Sequence, residues 1–308
     1  MKGLRKVLTP FAPDQSGAVS VLYGLGGLTV IIDAGGCTGN ICGFDEPRWQ
    51  EMRSAVFSAG LRDMDAILGR DKLLVSKIAD ACGRIDASFV ALIGTPVPAT
   101  IATDYKALKR MLEKETDLPV LTIATDGMKL YDEGEALAYK ALISEFTAKE
   151  GTLRELTLGM TPLTYGNGLS VTLDDYRNIG PETKITAASA SGIEAAKELG
   201  IPYEIYNGAA AGIAGSIPEG KVLVCHDEVF GKTLRDKGVR CDIATFFTLH
   251  DEIREEGDVK ITEEDEFTDL VMNGGYDVIV ADECLKPLAG GFGGQWIDAP
   301  FFALSGRR

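Results

Sequence analysis

The sequence predicts an α/β protein with Rossmann-like, doubly wound parallel sheets in two lobes. Three observations carry that reading. Apolar runs of strand length recur along the chain without polar alternation, as strands covered on both faces do. Stretches with helical periodicity separate them, so strand and helix alternate. The rhythm breaks once, in the middle, and then resumes.

Taken in order, "SGAVSVLYGLG" (16–26) is a helix candidate with Ser16 as a cap, and "LTVIIDA" (28–34) is the first buried strand. "DKLLVSKIADACGRI" (71–85) reads as a helix opening at Asp71, where an acid suits the first turn. "SFVALIGTP" (88–96) is a strand, "TIATDYKALKRMLEKE" (100–115) a helix, and "LPVLTIATDG" (118–127) a strand, with a long helix after it from about Lys129 to Lys149. Residues 151–182 carry Gly, Pro, Asn and Thr with no period and are read as the junction between a lobe at 1–150 and another at 183–308. Beyond it, "KITAASA", "IPYEIYN", "KVLVCHD", "YDVIVAD" and a final "APFFALSG" are strand candidates. Helices are expected near 191–199, 228–238 and 263–274.

Composition narrows the class. Hydrophobic residues make up 45% and charged residues 25%, as in folded globular proteins. A net charge of −15 argues against nucleic acid as a partner, because phosphate backbones need clustered Lys and Arg. No apolar run reaches the ~18 residues of a membrane span, and the N-terminus has no signal-like apolar core. Six cysteines in 308 residues are too sparse for a disulfide scaffold. The expected setting is the cytoplasm.

In such folds ligands bind at the carboxyl ends of the strands. Cys37 and Cys42 lie there, in the glycine-rich stretch after the first strand. Thiolate is a soft ligand suited to iron–sulfur clusters and zinc, which usually take four such donors. One chain offers two; a two-fold dimer would offer four. The same spacing fits two plain packing residues. Cys82, Cys225 and Cys241 read as packing residues, while Cys284 stands at another carboxyl strand end. Thr95, Pro96 and Glu283 share such positions and are expected to line a cleft. His226 and Asp227 also end a strand, where acid/base chemistry near neutral pH would be in reach. No nucleotide loop of the Gly-x-Gly-x-x-Gly or Gly-Lys-Ser/Thr type is present, nor a hydrolase elbow.

"GGCTGNI" (35–41), "FSAGLRDMDAILGRDKLL" (57–74), "FVALIGTPVPATIATDYKAL" (89–108) and "LPVLTIATDG", in that order, resemble the nitrogenase component 1 family. That family includes nitrogenase molybdenum–iron protein subunits, dark-operative protochlorophyllide reductase and the F430 reductive cyclase. "ELGIPYEIYN" (198–207) and "DLVMNGGYDVIVADECLKPLA" (269–289) extend the likeness more loosely. The resemblance implies a nitrogenase-like oxidoreductase component that pairs with a homologous subunit or a second copy. It also implies an interfacial iron–sulfur cluster and electrons from an ATP-dependent iron–sulfur reductase. Of the family's three interfacial cysteines, one matches Cys37; Thr9 and Pro96 stand at the other two, and Cys42 is an addition. The expectation is therefore a single [4Fe–4S] cluster held by Cys37 and Cys42 of two protomers. No iron–molybdenum cofactor is expected, since no cysteine lies between Cys82 and Cys225. The alternative is a non-catalytic metallocluster or tetrapyrrole binding or assembly protein of the same fold. The substrate is an unknown small molecule.

Overall fold

A computed structural model describes residues 5–159 and 171–307 of the protein. Among these, twelve strands form three sheets. The first holds β1 (Leu28–Ile31), β2 (Ala55–Ser58), β3 (Val90–Ile93) and β4 (Val120–Ile123) in the order β2-β1-β3-β4. Every neighbouring pair is parallel, with Leu28 opposite both Ala55 and Val90, and Val90 opposite Val120. β1 and β3 are buried at every position, which is why their sequence shows no alternation.

Helices cover this sheet. Leu74, Val75 and Ile78 from the helix Asp71–Cys82 and Leu108 and Leu112 from Tyr105–Thr116 pack on Leu28, Val30, Val90 and Leu92. Helices Asp14–Leu22 and Tyr131–Phe146 pack against each other and reach β3 and β4. Their crossing is close because it is made of glycine. A β-carbon on Gly17 would lie 2.0 Å from the Tyr131 carbonyl oxygen, and one on Gly134 1.8 Å from that of Asp14. The first helix starts at Asp14, not at Ser16, and all nine of its residues are buried.

A second sheet holds β5 (Glu155–Leu158), β6 (Lys184–Ala187) and β7 (Tyr203–Ile205), with Ile185 and Tyr203 in parallel register. The third holds β8 (Val222–Cys225), β9 (Cys241–Thr245), β10 (Val259–Lys260), β11 (Val278–Ala281) and β12 (Gln295–Asp298) in the order β10-β9-β8-β11-β12. All its pairs are parallel. By contact pattern the chain forms two compact units. One comprises Ala12–Leu156 with residues 171–183; the other gathers residues 5–11, 157–159 and 184–307.

The final strand expected at "APFFALSG" is instead a short helix, Phe302–Ser305. The edge strand forms earlier, at Gln295–Asp298, where the Trp296 indole N–H donates to the Ala281 carbonyl at 3.1 Å. The Phe301 amide and the Ser305 hydroxyl then both donate to the buried Asp282 carboxylate, at 2.9 and 2.5 Å, and wind that segment into a turn. No helix among the described residues is long and apolar enough to cross a membrane.

Candidate functional site

β1 runs out at Ile31, and Asp33 organises the loop beyond it. Its buried carboxylate accepts from the Thr38 amide at 2.8 Å, the Thr38 hydroxyl at 3.0 Å and the Ser58 hydroxyl at 2.6 Å. Gly35 turns the chain at φ 115°, a conformation that favours glycine. Cys37 then lies in a one-turn helix, Gly36–Asn40. That helix widens at once into a π turn, Ile41–Asp45, which contains Cys42 and is closed by the Glu46 amide donating to the Ile41 carbonyl at 2.9 Å. Such widened turns recur at functional sites.

The far end of the loop is anchored in the interior. Glu46 caps the 3₁₀ turn Pro47–Gln50 and takes a two-pronged ion pair from Arg48, at 2.6 Å from Nε and 2.5 Å from Nη2. Arg48 also donates to the Ser20 carbonyl at 2.6 Å and the Ser20 hydroxyl at 3.0 Å, and both partners of the pair are buried. Burial alone would lower the Arg48 pKa, but Glu46 holds it above its ordinary value. Asp45 accepts from the Ser16 hydroxyl at 2.7 Å, a second tie to the first helix.

Between these anchors the loop is open. A β-carbon on Gly35, Gly36, Gly39 or Gly43 would meet nothing within 4 Å, and Phe44 is 80% exposed. Both cysteines are half-buried and free. Burial, and then Asp33, pushes the Cys37 thiol pKa up; burial, then Glu46 and Asp33, does the same for Cys42. The bare protein thus keeps both thiols protonated, and a bound thiophilic metal would have to displace those protons. Among the described residues no three or more His, Cys, Asp or Glu side chains gather into a metal site.

The neighbouring strand ends are tied together by hydroxyls. Thr95, fully buried, donates to the Ile32 carbonyl at 2.7 Å, and Thr125 donates to that of Gly94 at 2.7 Å. Thr95 is thus a strap between β3 and the start of the cysteine loop, while Pro96 opens the next short helix and is exposed. The loops after β2, β3 and β4 also present apolar side chains to solvent, with Ile67 at 74% and Met128 at 84%.

The carboxyl end of the five-stranded sheet is built differently. His226 is buried between the rings of Phe230 and Phe301, at centroid distances of 4.0 and 4.3 Å. Its Nδ1 accepts from the Asp227 amide at 2.8 Å, so Nε2 carries the proton and donates to the Pro300 carbonyl at 3.1 Å. Burial lowers its pKa to about 4. Both nitrogens are engaged and the ring is neutral, which leaves neither for proton transfer to a ligand. Asp227 caps the helix Glu228–Asp236 through the Val229 amide at 2.8 Å and accepts from the Ala190 amide at 3.0 Å. Glu283 lies on the surface, paired with Lys286 at 2.6 Å. Cys225 is buried, and Cys241 and Cys284 are half-buried.

The Arg48–Glu46 pair is the feature that sequence reading missed. No local pattern in the sequence announces it, since the aromatic residues on either side, Phe44 and Trp49, are themselves exposed.

Three all-parallel sheets, with an open cysteine loop after the first strand of the first, define the fold as nitrogenase component 1-like. Among the solved structures that match are two of nitrogenase Cp1. Nitrogenase Cp1 at pH 6.5 superposes with a TM-score of 0.70 over 99% of this chain and 88% of that chain, at 10% identity. Nitrogenase Cp1 at pH 5 gives 0.64 over 96% and 84%, at 12% identity. No family model matches the sequence, and no curated protein does.

Proposed function

We propose that the protein is a nitrogenase-like redox component in which two chains share one [4Fe–4S] cluster between their Cys37/Cys42 loops. The observation that carries this reading is the loop itself: two free thiols in one open stretch, anchored at both ends, at the carboxyl end of a parallel sheet. The donor set of one chain is half of what such a cluster takes, so a second copy or a homologous subunit completes it. A bound cluster would supply one-electron transfer at the interface. Asp33 and the Glu46–Arg48 pair fix the loop's two ends, and the exposed apolar residues after β2 to β4 supply a surface that keeps water away once covered. An ATP-dependent iron–sulfur reductase is the proposed electron source, on the likeness in fold to nitrogenase Cp1.

A second reading, a carrier that binds a metallocluster or tetrapyrrole without turning it over, is favoured by His226. The residue best placed by sequence to deliver protons is sealed in an aromatic stack. Iron and acid-labile sulfide in anaerobically purified protein, with paramagnetic resonance after reduction, test the first reading. About four irons per pair of chains, lost in both Cys37→Ser and Cys42→Ser, are expected. Iron-free wild type, or iron retained in both variants, would overturn it. A cluster whose spectrum does not change with reductant would favour the carrier.

A further inference from the structure

His250 is the protein's second histidine, and it lies in the segment after β9. Its surroundings are carboxylates. The buried Glu228 carboxylate takes the His250 amide at 2.5 Å through one oxygen and bonds the ring Nδ1 through the other. On the opposite side of the ring, Nε2 meets Glu194 Oε1 at 2.6 Å. A neutral imidazole has a single N–H and can donate to one of these anions. With both acceptors in place, the arrangement is complete only when both ring nitrogens carry protons.

The contact joins three elements of one unit: the segment after β9, the helix Glu228–Asp236 and the helix Ala190–Leu199. Lys197, on the last of these, bridges Glu194 at 3.4 Å and Glu252 at 3.3 Å, and Glu252 accepts from the Tyr203 hydroxyl of β7 at 3.2 Å. The groups that act on the ring are thus Glu228 and Glu194, which favour the charged form, and Lys197, which opposes it. The hydrogen bond to Glu228 is the largest influence, outweighs burial and raises the pKa above its ordinary value.

We propose that His250 is a pH-released clasp: protonated, it fastens the helix Ala190–Leu199 to the helix Glu228–Asp236, and on deprotonation it lets go of Glu194 while keeping Glu228. The order of release comes from burial. Glu228 is enclosed and also bound to the His250 amide, so the remaining ring proton stays on that side; Glu194 is half-exposed and has Lys197 and water as substitutes. Because the folded pKa is raised, the clasp's contribution is fully present below the unfolded-state value of ~6.5 and is lost as pH rises through the folded value.

With two histidines in the chain, an imidazole NMR titration of the full-length protein shows two signals. His226 is expected to titrate at about 4, which identifies it, and His250 above the ordinary value. Glu194→Gln should lower the His250 midpoint while leaving that of His226 in place. Amide protection factors in the helix Ala190–Leu199, taken against the intrinsic exchange rate at each pH, should fall several-fold across the His250 titration and lose that step in His250→Gln. A His250 midpoint at or below the ordinary value, or protection factors in that helix that do not change across the titration, would overturn the proposal. Glu194→Gln changes a half-exposed residue and keeps the test decisive should His250→Gln fail to fold.

Discussion

The carboxyl ends of the first sheet and of the five-stranded sheet occupy the same place in their respective folds and are put to opposite uses. After β8 and β11 the polar groups are consumed internally. His226 has a partner at each nitrogen, and the Asp282 carboxylate receives the Cys284 and Phe301 amides, the Ser305 hydroxyl and Arg307. After β1 the loop is gripped at both ends, yet glycines, two thiols and Phe44 are left open between the grips. The difference teaches that position at a strand end is shared by both and spare valence is not.

The comparison breaks most visibly at buried charge. Asp282→Ala would strip the acceptor from the Cys284 and Phe301 amides and the Ser305 hydroxyl, while Arg307 keeps Asp298, and is expected to cost about 3–5 kcal/mol in chemical denaturation. Arg48→Met, which leaves Glu46 buried without its partner, should cost a similar ~3–5 kcal/mol, because the foot of the open loop is itself a closed polar cluster. Should either variant unfold like wild type, the anchoring described here would be wrong.

His226 sharpens the contrast through pH. Its folded pKa is depressed to about 4, so its contribution to stability is complete above the unfolded value of ~6.5 and declines as pH falls toward 4. The total is about 3 kcal/mol, read as the difference in acid sensitivity between wild type and His226→Phe. At the small end of the scale, Phe44→Ser or Ile67→Ser on the open side should shift stability by no more than ~0.5 kcal/mol, since each side chain is already in solvent. A loss of about 2 kcal/mol or more, by the same measurement, would mean that these residues are packed and the surface is not open.

Much of this was legible in the sequence. Buried parallel strands announce themselves as unbroken apolar runs, and β1, β3, β4, β8 and β11 all lie inside the runs that predicted them. β10 did not announce itself, because a two-residue edge strand has no period to read. β12 was displaced for a different reason. Its residues Gln295–Asp298 mix polar and apolar side chains, none of them buried, whereas the apolar Phe301–Leu304 segment that resembled a strand is captured by Asp282. The cysteine loop was visible through its glycines. What holds it was not, since the Arg48–Ser20 and Asp45–Ser16 contacts join residues 28 and 29 positions apart, with no local pattern. The stack of Phe230 and Phe301 on His226 likewise has no local pattern to read, because Phe301 lies far along the chain.

The most direct test of the central claim is a native mass spectrum of wild-type protein kept anaerobic, beside the Cys37→Ser, Cys42→Ser double variant. The account predicts a species of two chains carrying one [4Fe–4S] cluster in the wild type, absent from the variant. Iron-free wild-type chains, or a complete cluster on a single chain, would contradict it.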